Sequence, residues 1–264
     1  NLLFDVEFIP APLPGDEERS FNALQSILAG GDVAAFIFEP LIQGSGGMRM
    51  FTPEILDKMV SECQKHHVLT IADEVMVGFY RTGKFFACDH LEHKPDIYCL
   101  SKGLTGGTTA LGMTTCNEKI YQAFYADDKM KTLFHGHSCT ANPMACTVGL
   151  ASLDLLESDE CQANIQRIIK RHKEFREELE TQPMATNIRQ TGVILAFDVD
   201  NGEQTSYFNS IRDTMWHFCM SKGVILRPLG NTLYVLPPYV ITDEQLDKVY
   251  QTIRELFIHL KANR

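Results

Sequence analysis

The sequence predicts an α/β fold, a mostly parallel sheet with helices on both faces, followed by a smaller C-terminal α+β domain. Three observations predict it. Short continuous apolar runs, suited to strands buried on both faces, recur up to Cys116. Stretches that read as helices lie between them. From about residue 160 the pattern shifts to a long charged amphipathic helix and short strands.

The elements follow in order. The chain opens at Asn1 without a methionine or a signal peptide and enters a strand-like run at Leu2-Leu3-Phe4, the pattern of a cut through a longer protein. Pro10 to Gly15 is a loop, and residues 20–29 read as a helix. Ala34–Phe38 reads as a buried strand, ending in Glu39-Pro40 and the glycine-rich loop Gln43-Gly-Ser-Gly-Gly-Met48. Thr52 and Pro53 are the N-cap and first residue of a helix reaching His66. Val68–Ala72 is the next strand and delivers Asp73. Ile97–Leu100 delivers Ser101-Lys102, and Leu111–Cys116 is a further strand. A helix runs from Asn142-Pro143 to Leu156. The second part reads as a helix (Cys161–Glu180), a strand (Val193–Val199), a helix (206–221), two short strands (Val224–Arg227 and Thr232–Leu236) and a last helix opened by a capping box at Thr242–Gln245. The domains are thus expected at 1–158 and 159–264.

Composition narrows the function. A formal net charge of −10 offers no basic stripe for nucleic acid or for anionic membranes. No apolar run is long enough to span a bilayer. The eight cysteines contain no Cys-x-x-Cys spacing and read as reduced, mostly buried thiols, with no metal site and a cytoplasmic setting.

In open α/β sheets ligands bind outside the carboxyl ends of the strands. Asp73 and Lys102 both fall at such ends. On an extended chain Asp73 and Val75 face one side and Glu74 the other. A carboxylate and an aliphatic side chain facing one space suit a protonated, flat nitrogen heterocycle. A lysine in a partly dry pocket can form a Schiff base with an aldehyde and then shuttle a proton.

The runs Ala72-Asp-Glu-Val-Met-Val-Gly-Phe-Tyr-Arg-Thr-Gly83 and Pro95-Asp-Ile-Tyr-Cys-Leu-Ser-Lys-Gly-Leu-Thr-Gly-Gly107 resemble the signature of class III aminotransferases, fold type I pyridoxal-phosphate enzymes. Glu39 to Arg49, His135-Gly-His-Ser-Cys-Thr-Ala-Asn-Pro143 and Arg227-Pro-Leu-Gly230 fit the same family, in order, across the chain. Gln43 to Met50, Leu104 to Thr108 and Tyr234-Val-Leu-Pro-Pro-Tyr239 look like its biotin-pathway subgroup, which moves the amino group of S-adenosylmethionine to 8-amino-7-oxononanoate. Relatives acting on ornithine or 4-aminobutyrate carry glutamate where this chain has Ser45, and often glutamine where it has Met76. Other ω-amino donors, and a non-catalytic descendant, are the competing readings.

The resemblance implies roles. Lys102 is the Schiff-base lysine and catalytic group, Asp73 the partner of the pyridinium nitrogen, and Val75 the residue packed on the ring. His137 and Ser138 match a pair that reaches the cofactor phosphate from the neighbouring subunit of a homodimer. The family has a threonine there, usually after proline; Ser138 keeps the hydroxyl and His137 departs from the pattern. Gly136 and Arg227 match substrate-contacting positions, Arg227 holding a carboxylate by a bidentate pair, and Arg81 matches a residue near the donor. A turn glycine, a structural ion pair and a helix-entry polar group are the plainer readings of Gly136, Arg81 and Ser138. The resemblance also places a Gly-Ser phosphate cup and a ring-stacking aromatic N-terminal to these residues, so the piece alone is expected to hold cofactor poorly.

Overall fold

A computed structural model describes residues 5–262 of the chain. The run Leu2-Leu3-Phe4 lies outside the described residues. Backbone packing divides the chain into two compact units. The first comprises residues 1–42, 51–79 and 84–156, and the second 43–50, 80–83 and 157–264. Two short segments inside the stretch expected as the first domain therefore pack with the second unit.

The first unit is built on a four-stranded sheet. Its strands are β1 (Ala35–Phe38), β4 (Leu69–Asp73), β5 (Ile97–Leu100) and β6 (Met113–Cys116), in the order β1-β4-β5-β6. The pairs β1–β4 and β4–β5 are parallel, and β5–β6 is antiparallel. Helix α1 (Glu17–Leu28) packs on α2 (Pro53–Lys65), and α2 on β4. The α2 sequence dictates this. Ile55, Leu56, Met59, Val60 and Cys63 recur on one helical face, and all five are buried. Helix α3 (Glu118–Phe124) is short and has no buried residue. Helix α4 (Pro143–Leu156) packs on the tight turn Lys102–Thr105 that follows β5.

The second unit holds the hairpin strand β3 (Arg49–Met50), whose partner is β2 (Ile42–Gln43), and a three-stranded antiparallel sheet, β7 (Ala185–Thr191), β8 (Ile194–Val199) and β9 (Thr232–Val235). Every residue of β8 is buried, as suits a central strand. Helix α5 (Asp159–Leu179) packs on β7 and β8, and α6 (Ile211–Ser221) on α7 (Asp243–Ala262). Thr242 and Gln245 form the expected reciprocal cap: the Thr242 N–H donates to Gln245 Oε1 at 3.0 Å and the Gln245 N–H to Thr242 Oγ1 at 3.3 Å.

Several expectations are corrected. β1 is not buried on both faces: it is an edge strand, and Ile37 is 63% exposed. Thr52 sits at the N-cap of α2, but its side chain makes no capping bond. Helix α1 starts three residues earlier than read, and α6 five residues later. Val224–Arg227 alternates buried and exposed residues as a strand would, yet joins no sheet. α3 and β7 were not foreseen. The cysteines are all free, but only Cys63, Cys88 and Cys219 are buried; Cys116 at the end of β6, Cys139 before α4 and Cys146 on α4 are exposed. No helix among the described residues is long and apolar enough to cross a membrane.

Candidate active site

Asp73 closes β4 and Lys102 follows β5 by two residues, so both stand at the carboxyl ends of adjacent parallel strands. The register pairs Asp73 with Cys99, and Cys99 with Thr114 on β6. Burial, and then the Asp73 carboxylate, push the Cys99 thiol above its ordinary range. That coupling marks Cys99 as a neighbour of Asp73, one the sequence did not single out, because register is not legible without the partner strands.

The ladder continues one residue past Asp73, where the Glu74 N–H donates to Cys99 O at 3.0 Å. The chain then turns. Val75 lies in this turn and not on an extended strand, which corrects the alternation argument for it. Its N–H donates to Asp73 Oδ1 at 3.0 Å. Among the described residues Asp73 Oδ2 makes no hydrogen bond, so it is open to an outside donor. Glu74 points the other way, as expected, and is fully buried. It accepts from the N–H groups of Ala87 (2.9 Å) and Cys88 (2.7 Å). Burial pushes its carboxyl up, and those bonds partly offset the push. Glu74 thus fastens the far side of the strand end that carries Asp73.

Lys102 is exposed, so the partly dry pocket expected around it is not formed by the described residues. The residues after it, Gly106 to Thr109, are small and exposed, and bring no bulky wall. Its backbone is left-handed, with φ +46°, a region that a non-glycine residue occupies only when its surroundings impose it.

Gly136, His137 and Ser138 lie on the exposed backbone before α4. Their hydrogen bonds are local. The His137 N–H donates to Thr140 Oγ1 at 2.8 Å, and the Cys139 N–H to His137 Nδ1 at 3.1 Å. His137 here shapes its own turn.

Arg81 and Arg227 belong to the second unit. Arg81 donates from Nη1 to Pro237 O at 2.8 Å and lies over the Tyr239 ring, 4.5 Å from its centre. Its carbonyl accepts the Val193 N–H at 3.1 Å. Gly192 approaches so closely that a Cβ there would collide with this carbonyl, and its φ of +55° also requires glycine. Arg81 is therefore tied into its own unit. Arg227 is exposed and lines a cleft of about 360 Å³ together with Arg212, Asp213, Trp216 and His217.

The described residues contain no cluster of three metal ligands. They do fit an aldehyde-bearing, protonated heterocycle: an open carboxylate oxygen at one strand end, and an exposed amine on a left-handed backbone at the next. The comparisons agree with that chemistry. The family model for class-III aminotransferases matches residues 5–257. The chain is 43% identical to adenosylmethionine-8-amino-7-oxononanoate aminotransferase of Synechococcus elongatus, over 97% of this chain and 62% of that one. Among solved structures it resembles the enzyme of the same name from Methanocaldococcus jannaschii, with a TM-score of 0.83 and 31% identity over 92% of this chain and 59% of that one. It also resembles a transaminase crystallised with L-alanine, with a TM-score of 0.87 and 25% identity over 96% and 62% of the two chains. The chain spans between about half and three-fifths of the length of the curated relatives it matches. By the reach of the family match, and with Asp73 and Lys102 at neighbouring strand ends, this chain belongs to the class-III aminotransferases.

Proposed function

We propose that the full-length protein is a pyridoxal-phosphate-dependent aminotransferase of biotin biosynthesis, taking the amino group of S-adenosylmethionine and passing it to 8-amino-7-oxononanoate. The observation that carries this reading is the identity of 43% with the Synechococcus elongatus enzyme of that name along 97% of the chain. The strand-end pair Asp73 and Lys102 supports it chemically.

When bound, pyridoxal phosphate supplies an aldehyde for amines and a ring that accepts electron density from the substrate carbon. The open oxygen of Asp73 would pair with the protonated ring nitrogen. The Val75 side chain would border the ring, and its N–H fixes the rotamer of Asp73 through the 3.0 Å bond to Oδ1. The Lys102 amine would hold the cofactor and would be the group that takes and returns the proton of the substrate carbon. Arg227 pairs with the substrate carboxylate, Gly136 lets the backbone approach the substrate, and Arg81 borders the donor.

Ser138 would reach the cofactor phosphate of the neighbouring subunit in a homodimer, while His137 beside it departs from the family pattern and uses Nδ1 in its own turn. Support for that assembly comes from the exposed apolar residues flanking them: Tyr125 is 69% exposed, Met130 80%, Phe134 79% and Met144 80%. Such a concentration marks a protein interface. Eight free thiols favour a cytoplasmic setting.

The test is an absorbance spectrum of the full-length protein with pyridoxal phosphate, before and after S-adenosylmethionine alone. Conversion of the bound cofactor to its amine form supports the donor assignment. A cofactor that binds but stays unchanged refutes that donor and makes lysine and diamines the next to try.

A further inference from the structure

We infer that Phe79 is a positioning residue for Lys102, acting through Gly103. The inference rests on Lys102 being the cofactor lysine.

Lys102 has φ +46°, so its backbone is held against its own preference. The peptide that follows is gripped from two sides. On one side is α4: Ser152 Oγ donates to Gly103 O at 3.3 Å. The turn itself closes through the Leu104 N–H to Ser101 O at 3.0 Å. On the other side lies Phe79. A Cβ built on Gly103 would stand 2.8 Å from Phe79 Cδ2 and 3.1 Å from its Cβ and Cγ. Gly103 is glycine because the Phe79 side chain occupies the space its side chain would need.

Phe79 has little room to yield. It is 3% exposed and itself left-handed, with φ +59°. The rings of Phe85 and Phe86 meet it edge-on, with centres 5.7 and 6.1 Å away. Its segment starts at Glu74, whose carboxylate is pinned by the Ala87 and Cys88 N–H groups. One turn therefore begins beside Asp73 and ends against the residue after Lys102. It fixes the spacing of the backbone that carries Asp73 and Lys102 by contact within the protein.

The test uses the full-length protein loaded with pyridoxal phosphate, as wild type, Gly103→Ala, Phe79→Leu and the double variant. The readouts are the pH midpoint of the bound cofactor's absorbance and the split of kcat against KM. In Gly103→Ala the contact must open from 2.8 Å toward the ordinary 3.4 Å, displacing the Lys102 turn. Displacements of this order cost about tenfold in kcat with KM nearly unchanged, and should move the midpoint by about half a pH unit or more. The smaller side chain of Phe79→Leu makes room for the new methyl, so the double variant should recover both. A midpoint unmoved in Gly103→Ala, or a double variant no better than Gly103→Ala, overturns the inference. Should Gly103→Ala fail to fold, Phe79→Leu alone decides: a shifted midpoint supports the inference and an unshifted one overturns it. If wild type itself takes up no cofactor, the functional reading above fails instead.

Discussion

His172 offers a pH experiment whose size follows from geometry. It lies on α5, fully buried, between Tyr250 on α7 and the backbone before β8. Its Nδ1 is 2.6 Å from Tyr250 Oη and its Nε2 is 3.1 Å from Val193 O. A neutral ring satisfies both: Nε2–H donates to the carbonyl, and Nδ1 accepts from the phenol. A second proton would place Nδ1–H against the phenol O–H, in a fully buried site. Burial accordingly holds the imidazole down at about 4, although the Val193 carbonyl favours the charged form. In the unfolded chain the value is about 6.5. The native state thus refuses a proton that the unfolded state accepts, and stability is lost as pH falls from about 6.5 toward 4. The full difference, about 2.5 pH units, amounts to about 3 kcal/mol, of which about 2 kcal/mol should be lost between pH 7 and pH 5. Urea unfolding of the full-length protein at the two pH values, with His172→Phe alongside, measures it. The variant leaves the phenol and carbonyl unpaired and should be less stable at pH 7 by about 2–4 kcal/mol. Its further loss down to pH 5 should be smaller than that of wild type by about 2 kcal/mol. An equal loss in both proteins, or a His172 ring proton titrating near 6.5 by NMR, would refute the argument.

Two other substitutions test the packing that supports the candidate site. Glu74→Ala leaves the buried N–H groups of Ala87 and Cys88 without acceptors, and should cost about 2–5 kcal/mol in urea unfolding, with faster amide exchange at both positions; a cost below about 1 kcal/mol would show that Glu74 does not anchor the Asp73 strand end. Arg189 reaches the carbonyls of Gly47 (2.6 Å) and Met48 (2.7 Å) and pairs with buried Asp198 at 3.0 Å, fastening the glycine-rich loop to β7 and β8 within the second unit. Arg189→Met strands the Asp198 charge and should cost about 3–5 kcal/mol, with much of it recovered by adding Asp198→Leu; no recovery would mean that the charge is not the source of the loss.

The parts of the fold that were legible in the sequence are those where one local signal decides. Ile97–Leu100 and Val68–Ala72 are short apolar runs between polar boundaries, and both form strands at or within one residue of the expected place. The reciprocal Thr242–Gln245 cap declares the start of α7 within four residues. What was missed depends on distant partners. β7, with the sequence Ala-Thr-Asn-Ile-Arg-Gln-Thr, has no apolar alternation; it is a strand because it pairs with fully buried β8. Val224–Arg227 has the right alternation but no partner strand. In the site, Asp73 and Lys102 stood out because strand ends are predictable. The turn at Val75 and the left-handed backbone of Lys102 did not, nor did the contact of Phe79 with Gly103, which is set by close approach between residues well separated in sequence.

The most direct measurement of the central claim is to treat the full-length protein, loaded with pyridoxal phosphate, with borohydride, and to locate the label by peptide mass spectrometry. Reduction fixes the cofactor to whichever amine holds it. A label confined to the peptide carrying Lys102, and absent in Lys102→Ala, is the expected result. A label on another lysine, or one that survives in Lys102→Ala, would contradict it.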